Sequence, residues 1–455
     1  MISLHARLAH LLRRCRAPFG ALALALAAAA FAYTGQRAEA QAAEANWWEQ
    51  IPGFGSPGYT ERRPEKRERK PDQLDDLRPD PTPWRSDEML KAIEGAIAQY
   101  QQIVQKGGWP AIPSNRMIRP GDDDERIPLV RRRLRASGDL PGKSTGYESM
   151  SFDDDLEQAV RRFQGRHGIR VTGRIDRPTF AVLNVSAEAR LAQLKLNYNR
   201  IRDLLAERLE DRYVLVNVPA FQLEAVERFE VVQRHRVIVG REGRETPALK
   251  ASIKALNFFP YWRVPESVAT LDLIPKLRKE PDYIIKEKIR VVQGHYNGPE
   301  IDATNIDWNT ADGKSIRFRQ DPGPQNALGL VRIDMPNEHG VYMHDTPLKP
   351  LFEQRGRAFS AGCVRVQGVF QLAEWIAKGE AGWQPGRVEE VLASGQALDL
   401  TLARPIPVYF TYITAWAEPN GRVEFRPDIY GRDGAGDGEG QRAPETPAPA
   451  PGLAP

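Results

Sequence analysis

The chain has 455 residues, room for two or three domains with real cores. It carries 64 Lys and Arg against 60 Asp and Glu, net +4, but Arg7, Arg13, Arg14, Arg16 and Arg37 stand against Glu39 alone in the first forty positions. The remainder is electrically balanced, which removes any global case for nucleic-acid binding.

Residues 1–40 read as an export signal. Arg7, Arg13, Arg14 and Arg16 form a positive n-region, 20–33 is a small and apolar run, and Ala38-Glu39-Ala40 fits a cleavage site. The apolar run is short for a transmembrane helix, so cleavage, leaving the protein in the periplasm, is favoured over an uncleaved inner-membrane anchor. Cys15 would leave with the signal, and Cys363 would remain as the sole cysteine. Residues 41–83 read as a disordered linker, with 57–83 dense in Pro, Arg, Lys, Glu and Asp, and 431–455 read as a disordered tail.

From Trp84 the pattern turns helical. Met89, Ile93, Ile97 and Tyr100 recur at three- and four-residue steps, and Leu191, Leu194, Tyr198, Ile201 and Leu205 repeat that pattern later. They predict a helical scaffold in two parts, 84–124 and 187–210. Between them, 125–186 predicts a compact three-helix unit. Ile127, Val130 and Leu134 face inward on its first helix, and Leu156, Val160 and Phe163 on its second, which begins among aspartates that the helix dipole favours. Thr179, Phe180, Val182 and Leu183 begin the third. The skeleton F-Q…H-G…T-G…T…L-N between residues 163 and 184 resembles the peptidoglycan-binding module of cell-wall enzymes. Taken alone, Phe163, Ile169 and Leu183 read as core and the glycines as turns; wall binding is what the resemblance implies.

After Asp211 the period drops to two. Residues 213–218, 222–226 and 231–239 predict strands. The aromatic stretch 256–264 contains Pro260, which points to a strand edge or an irregular wall. Residues 265–292 predict a mainly helical insertion, and 302–329 a long polar loop with a short strand. An insertion of this length, about 265–325, is commonly a lid. Strands return at 330–333 and 340–343, a helix follows at 369–377, and 406–416 with 421–425 predict a final hairpin around Pro419-Asn420-Gly421.

The chemistry concentrates in 339–365. A lone cysteine in an exported protein suggests a reactive thiol. A thiol is only slightly ionised at neutral pH and needs a neighbouring base. His344 ends a short strand and shares a strand face with Tyr342; His339 lies in a polar turn and is the weaker candidate. Gly362 permits close backbone approach before the nucleophile. Backbone N–H groups there and the Tyr342 hydroxyl could serve an oxyanion. Arg365 could hold a substrate carboxylate or form a structural ion pair.

The strings V-Y-M-H-D-T-P at 341–347 and F-S-A-G-C-V-R at 359–365 resemble the active-site signature of L,D-transpeptidases. The resemblance extends to N-F-F-P-Y-W-R-V-P at 257–265 and R-P-D-I-Y-G at 426–431, and covers nearly all of 84–432. It looks like the large subgroup with a helical scaffold, an inserted wall-binding module and a capping segment. It implies a multidomain α+β fold: a mostly-β catalytic domain over 211–430 with a helical cap, preceded by all-α parts. Cys363 is then the nucleophile and His344 the base. Tyr342 and the Gly362–Cys363 backbone serve the oxyanion, Ser360 and Arg365 support the site, and Trp262 lines the pocket. Ala361 stands where the family often has His or another polar residue, so only a backbone role in orienting His344 would survive there. The implied reaction is attack on the third stem residue of a donor tetrapeptide, loss of D-alanine, and transfer of the thioester to an amine. A stem amine gives a 3–3 cross-link, water a carboxypeptidase, and an outer-membrane protein or lipoprotein amine an anchoring enzyme. No cofactor or metal is implied, and the partners are peptidoglycan stem and glycan.

Overall fold

The computed structural model describes residues 76–142, 148–207 and 210–434. The expected signal, most of the expected linker and most of the expected tail lie outside the described residues.

Helix α1 (Asp87–Gln105) begins where the Ser86 side chain accepts from the Met89 N–H at 3.1 Å, and it buries Met89, Ile93, Ala96 and Tyr100 on one stripe. The module follows as α2 (Ile127–Ala136), α3 (Asp154–Arg166) and α4 (Arg177–Leu183). Ile127, Val130, Leu134, Leu156, Phe163 and Leu183 share its core. Its recognisable skeleton is structural. Gln164, fully buried, accepts from the Thr172 and Gly173 N–H groups at 2.9 Å each. It donates to the Arg174 carbonyl at 2.7 Å and the Thr179 hydroxyl at 2.9 Å. Helix α5 (Ala187–Leu205) returns to pack on α1.

The catalytic half is built on a nine-stranded sheet. Its strands are β1 (Arg212–Asn217), β2 (Gln222–Glu227), β3 (Glu230–Gly240), β4 (Leu249–Phe258), β9 (Val331–Asp334), β10 (Met343–His344), β11 (Ala358–Ser360), β12 (Val364–Val366) and β13 (Leu398–Thr411). The order is β11-β3-β12-β10-β9-β4-β13-β1-β2, and β2 also pairs with β3, so the sheet curls back on itself. Strand period two sorts β1 between two cores. Val214 and Val216 join the core with Leu372 and Ile376, which lie on helix α9 (Val369–Ala377); Tyr213 and Leu215 join the core with α1 and α5.

The insertion forms a cap of its own. Short helices α6 (Glu266–Val268), α7 (Ile274–Lys279) and α8 (Tyr283–Lys286) accompany a second sheet. That sheet runs β5-β8-β6-β7, from β5 (Trp262–Arg263), β6 (Ile289–Gln293), β7 (Glu300–Ile301) and β8 (Ile316–Gln320). The mainly helical reading of 265–292 is corrected only at its end, where 289–293 is a strand; the short strand expected within 302–329 is 316–320, and the alternating apolar residues of both meet the same small core. Tyr342 and Ala361 of the catalytic half pack against that core, so the cap sits over the site.

Two expected disordered ends are corrected where they are described. Arg78 is buried, donating to Glu224 at 2.9 Å and to Glu418 at 2.8 Å, and Asp76 pairs with Arg236 and Arg357 at 2.7 Å each. At the other end Asp433 accepts from Arg200 and from the Thr414 hydroxyl, at 2.6 Å each. The hairpin is also shorter than expected: 406–411 belong to β13, while β14 (Ala415–Ala417) and β15 (Val423–Phe425) pair alone.

Candidate active site

Strands β10 and β12 run parallel, with Met343 opposite Val364 and His344 opposite Arg365. The Val364 N–H donates to the Tyr342 carbonyl at 3.0 Å, which fixes Tyr342 beside Cys363. Tyr342, His344, Cys363 and Arg365 thus gather on two adjacent strand ends. The Tyr342 and His344 rings meet edge-on, with centroids 5.7 Å apart. The Tyr342 backbone N–H and hydroxyl both face the sulfur and favour its thiolate.

The nucleophile turn is held from several sides. Gly362 has φ +122°, in the region where L side chains are strained. Ser360 bridges the turn, donating to the Cys363 carbonyl at 2.5 Å and accepting from the Gly362 N–H at 3.1 Å. The Gly362 N–H is therefore engaged, and the expected oxyanion role narrows to the Cys363 N–H and the Tyr342 hydroxyl. Thr246 donates to the Gly362 carbonyl at 2.8 Å and accepts from the Gly240 N–H at 2.8 Å. Gly240 must be glycine, since a Cβ there would lie 2.1 Å from the Arg244 carbonyl. The Tyr430 hydroxyl accepts from the Thr246 N–H at 3.3 Å and donates to the Gly240 carbonyl.

His344 is completely buried. Its Nδ1 faces the Asp345 carbonyl, so Nδ1 carries the proton and Nε2 the lone pair. Nε2 has no partner among the described residues. The orienting carbonyl is thus Asp345's own, which corrects the expectation that the carbonyl of Ala361 would serve. The Asp345 carboxylate accepts from the Leu330 N–H at 3.0 Å and pairs with Lys349, tying down the loop whose Leu328 carbonyl also faces His344. His339 is partly exposed beside Glu338, as a turn residue should be.

Residues 211–389 match the family model for the L,D-transpeptidase catalytic domain of YkuD type. Residues 123–183 match the model described as "Putative peptidoglycan binding domain". The chain carries an L,D-transpeptidase catalytic domain. A protein of Haemophilus influenzae named "Putative L,D-transpeptidase" is 37% identical over 221 residues, 48% of this chain and 44% of that protein, so the chain spans less than half the length of that relative. Among solved structures, an L,D-transpeptidase from Stackebrandtia nassauensis is 13% identical, covering 66% of this chain and 97% of that one, at a TM-score of 0.24. Another, from Mycobacterium smegmatis, is 10% identical over 44% of this chain and 58% of its own, at a TM-score of 0.22.

The electrostatics of the site follow from burial. Desolvation pushes the Cys363 thiol up to about 11, against Tyr342, Arg365 and Arg332, which pull it down. Desolvation first, then the Arg365 charge, pushes His344 down to about 3. Arg365 is itself buried and pushed down to about 10 by desolvation. Its Nε and Nη1 find no acceptor among the described residues, so the structural ion-pair reading does not hold. Trp262, buried, lines a cleft between the cap and residues 346–348. Thr246, Asp345 and Tyr430 were missed as supports. The D of H-D-T and the Y of R-P-D-I-Y-G were the available signals, while Thr246 had none.

Proposed function

We propose that the chain is a periplasmic peptidoglycan L,D-transpeptidase in which Cys363 is acylated by a donor stem and transfers it to an amine to form 3–3 cross-links. The observation that supports this reading is the pairing of β10 with β12, which brings His344 and Cys363 to adjacent strand ends, with His344 Nε2 lacking a partner among the described residues. His344 takes the thiol proton, the sulfur attacks the stem carbonyl, and the oxyanion meets the Cys363 N–H and the Tyr342 hydroxyl. Collapse expels D-alanine, which leaves with a proton from His344. The acceptor amine then repeats the attack in reverse order and frees the sulfur.

A thiol near 11 beside an imidazole near 3 makes proton transfer steeply uphill in the closed state. The cap packs over Tyr342 and Ala361, and a cap closed over the thioester would limit its hydrolysis. The module at 123–183 holds the wall substrate near the site.

The test is incubation of the purified protein with wall sacculi, followed by mass spectrometry of the muropeptides. New 3–3 dimers from the wild type and none from Cys363→Ala are expected. Stems shortened without dimers would make water the acceptor and overturn the transpeptidase reading.

A further inference from the structure

The cleft between the cap and residues 346–348 contains a carboxylate that no part of the mechanism above uses. Its walls come from both halves: Trp262, Tyr283, Glu287 and Gln320 from the cap, Thr346 and Leu348 from the segment that follows the base. Glu287 caps the C-terminus of α8 and is half-buried. Among the described residues no hydrogen bond or ion pair engages its carboxylate. The Glu287 carbonyl, by contrast, is held: the Gln320 amide donates to it at 2.8 Å and to the Gln325 carbonyl at 3.1 Å. The Gln320 oxygen accepts from the Ala327 N–H at 2.8 Å. Gln320, itself buried, thus fixes three walls of the cleft at once. The next residue, Lys288, sits at φ +53°, a left-handed conformation that closes the helix and sets the direction of the chain at Glu287.

We propose that Glu287 receives the ammonium group of the acyl acceptor, making this cleft the acceptor subsite of the transpeptidase. The inference rests on the transpeptidase reading and adds the group that recognises its second substrate. A half-buried carboxylate without a partner favours a cation over a neutral or anionic group. The aromatic walls Trp262 and Tyr283 suit the same charge. Lys276, whose ammonium lies 3.9 Å from the Tyr283 ring centroid, already uses one of those faces for a cation. Burial pushes the Glu287 carboxyl up and the Lys276 charge pulls it down. Thr346 lies two residues beyond His344, so an amine entering here approaches from the side of the base.

The experiment separates the two half-reactions. Acyl-enzyme is formed with a donor tetrapeptide and followed by mass, then transfer is titrated with a stem carrying a free primary amine. Glu287→Gln is expected to raise the acceptor KM about ten-fold, the scale of one lost charged hydrogen bond. Glu287→Asp should recover part of that loss. With hydroxylamine, a nucleophile that is uncharged at neutral pH, the two proteins should transfer alike once normalised to their acylation rates. An unchanged KM in Glu287→Gln, or an equal loss with hydroxylamine, would overturn the assignment. A wild-type protein that never gains the acyl mass would instead overturn the transpeptidase reading beneath it.

Discussion

His344 and Arg365 are direct partners in the parallel pairing of β10 with β12, and among the described residues no carboxylate pairs with the Arg365 guanidinium. After desolvation, that one positive charge acts on both groups in the same direction. It pulls the imidazole down, keeping Nε2 free to accept a proton, and it pulls the thiol down, towards the thiolate. The bias helps the thiolate but opposes the imidazolium that proton transfer would form, so Arg365 acts on the nucleophile and the base in opposite senses.

The choice of histidine can be tested directly. His344→Ala is expected to slow acylation by a carbapenem ~10²–10⁴-fold, the span of a positioned general base. His339→Ala, altering a partly exposed turn, should leave the rate near wild type. Raising the pH should partly rescue His344→Ala, because hydroxide then generates the thiolate. Rates of adduct formation against pH decide it; a large loss in His339→Ala alone would reverse the assignment.

Stability should fall on acidification. Burial pushes His344 down to about 3 and His235 down to about 4, and holds His167 well below the usual imidazole range. An unfolded imidazole titrates near ~6.5. Between the folded and unfolded values the unfolded chain binds more protons, so stability drops as pH falls through ~6.5 and keeps dropping towards the folded values. Melting temperatures from about pH 8 down to about pH 5 should show this slope, and His235→Gln should flatten it. A flat wild-type profile would contradict the neutral buried state.

Tyr430 lies far along the chain from Cys363, yet its hydroxyl touches both ends of the 240–246 turn that Thr246 uses to hold Gly362. Tyr430→Phe leaves two polar groups there unsatisfied, at a cost of ~1–3 kcal/mol per buried group. Acylation should fall about ten-fold, and the melting temperature should fall by several degrees as well, since both the turn and the nucleophile it positions lose support. An acylation rate equal to wild type would remove Tyr430 from the support of the site.

Arg78→Ala should destabilise more than its place in a charge-rich stretch suggests. It leaves Glu224, fully buried, and Glu418, nearly so, without a main cation. Removing one partner from a buried pair costs ~3–5 kcal/mol. Denaturant unfolding should show a lower midpoint; an unchanged midpoint would mean that Arg234, which also reaches Glu224 at 3.0 Å, suffices.

The contrast between Arg78 and Cys363 marks what can be read from the chain alone. Cys363 and His344 sit in short strings whose resemblance to a known signature is local, so they could be singled out as candidates from the sequence. Arg78 sits in a string whose meaning depends on Glu224 and Glu418, distant in sequence, and local composition made it look like a tether. Thr246 and Gln320 were invisible for the same reason: each works through backbone groups of other segments. The cap strand at 289–293 was mistaken for helix because short apolar runs fit either period until a partner strand is known. In the module, by contrast, the recognisable residues proved to be those that hold its own turns, as Gln164 does.

Strand β13 lies between β4 and β1 in the sheet, yet it is the last long strand of the chain. Val214 has no parallel partner until Val408 has been made. A ribosome or a translocation pore delivering this chain from its N-terminus would therefore release β1, β4 and the whole Cys363 region before the strand that joins them exists. Such long-range parallel pairing is slow, and the half-built sheet would expose apolar strands meanwhile. Acylating activity should thus appear only after residue 411 has emerged, and chains halted before it should be the ones that aggregate or are degraded.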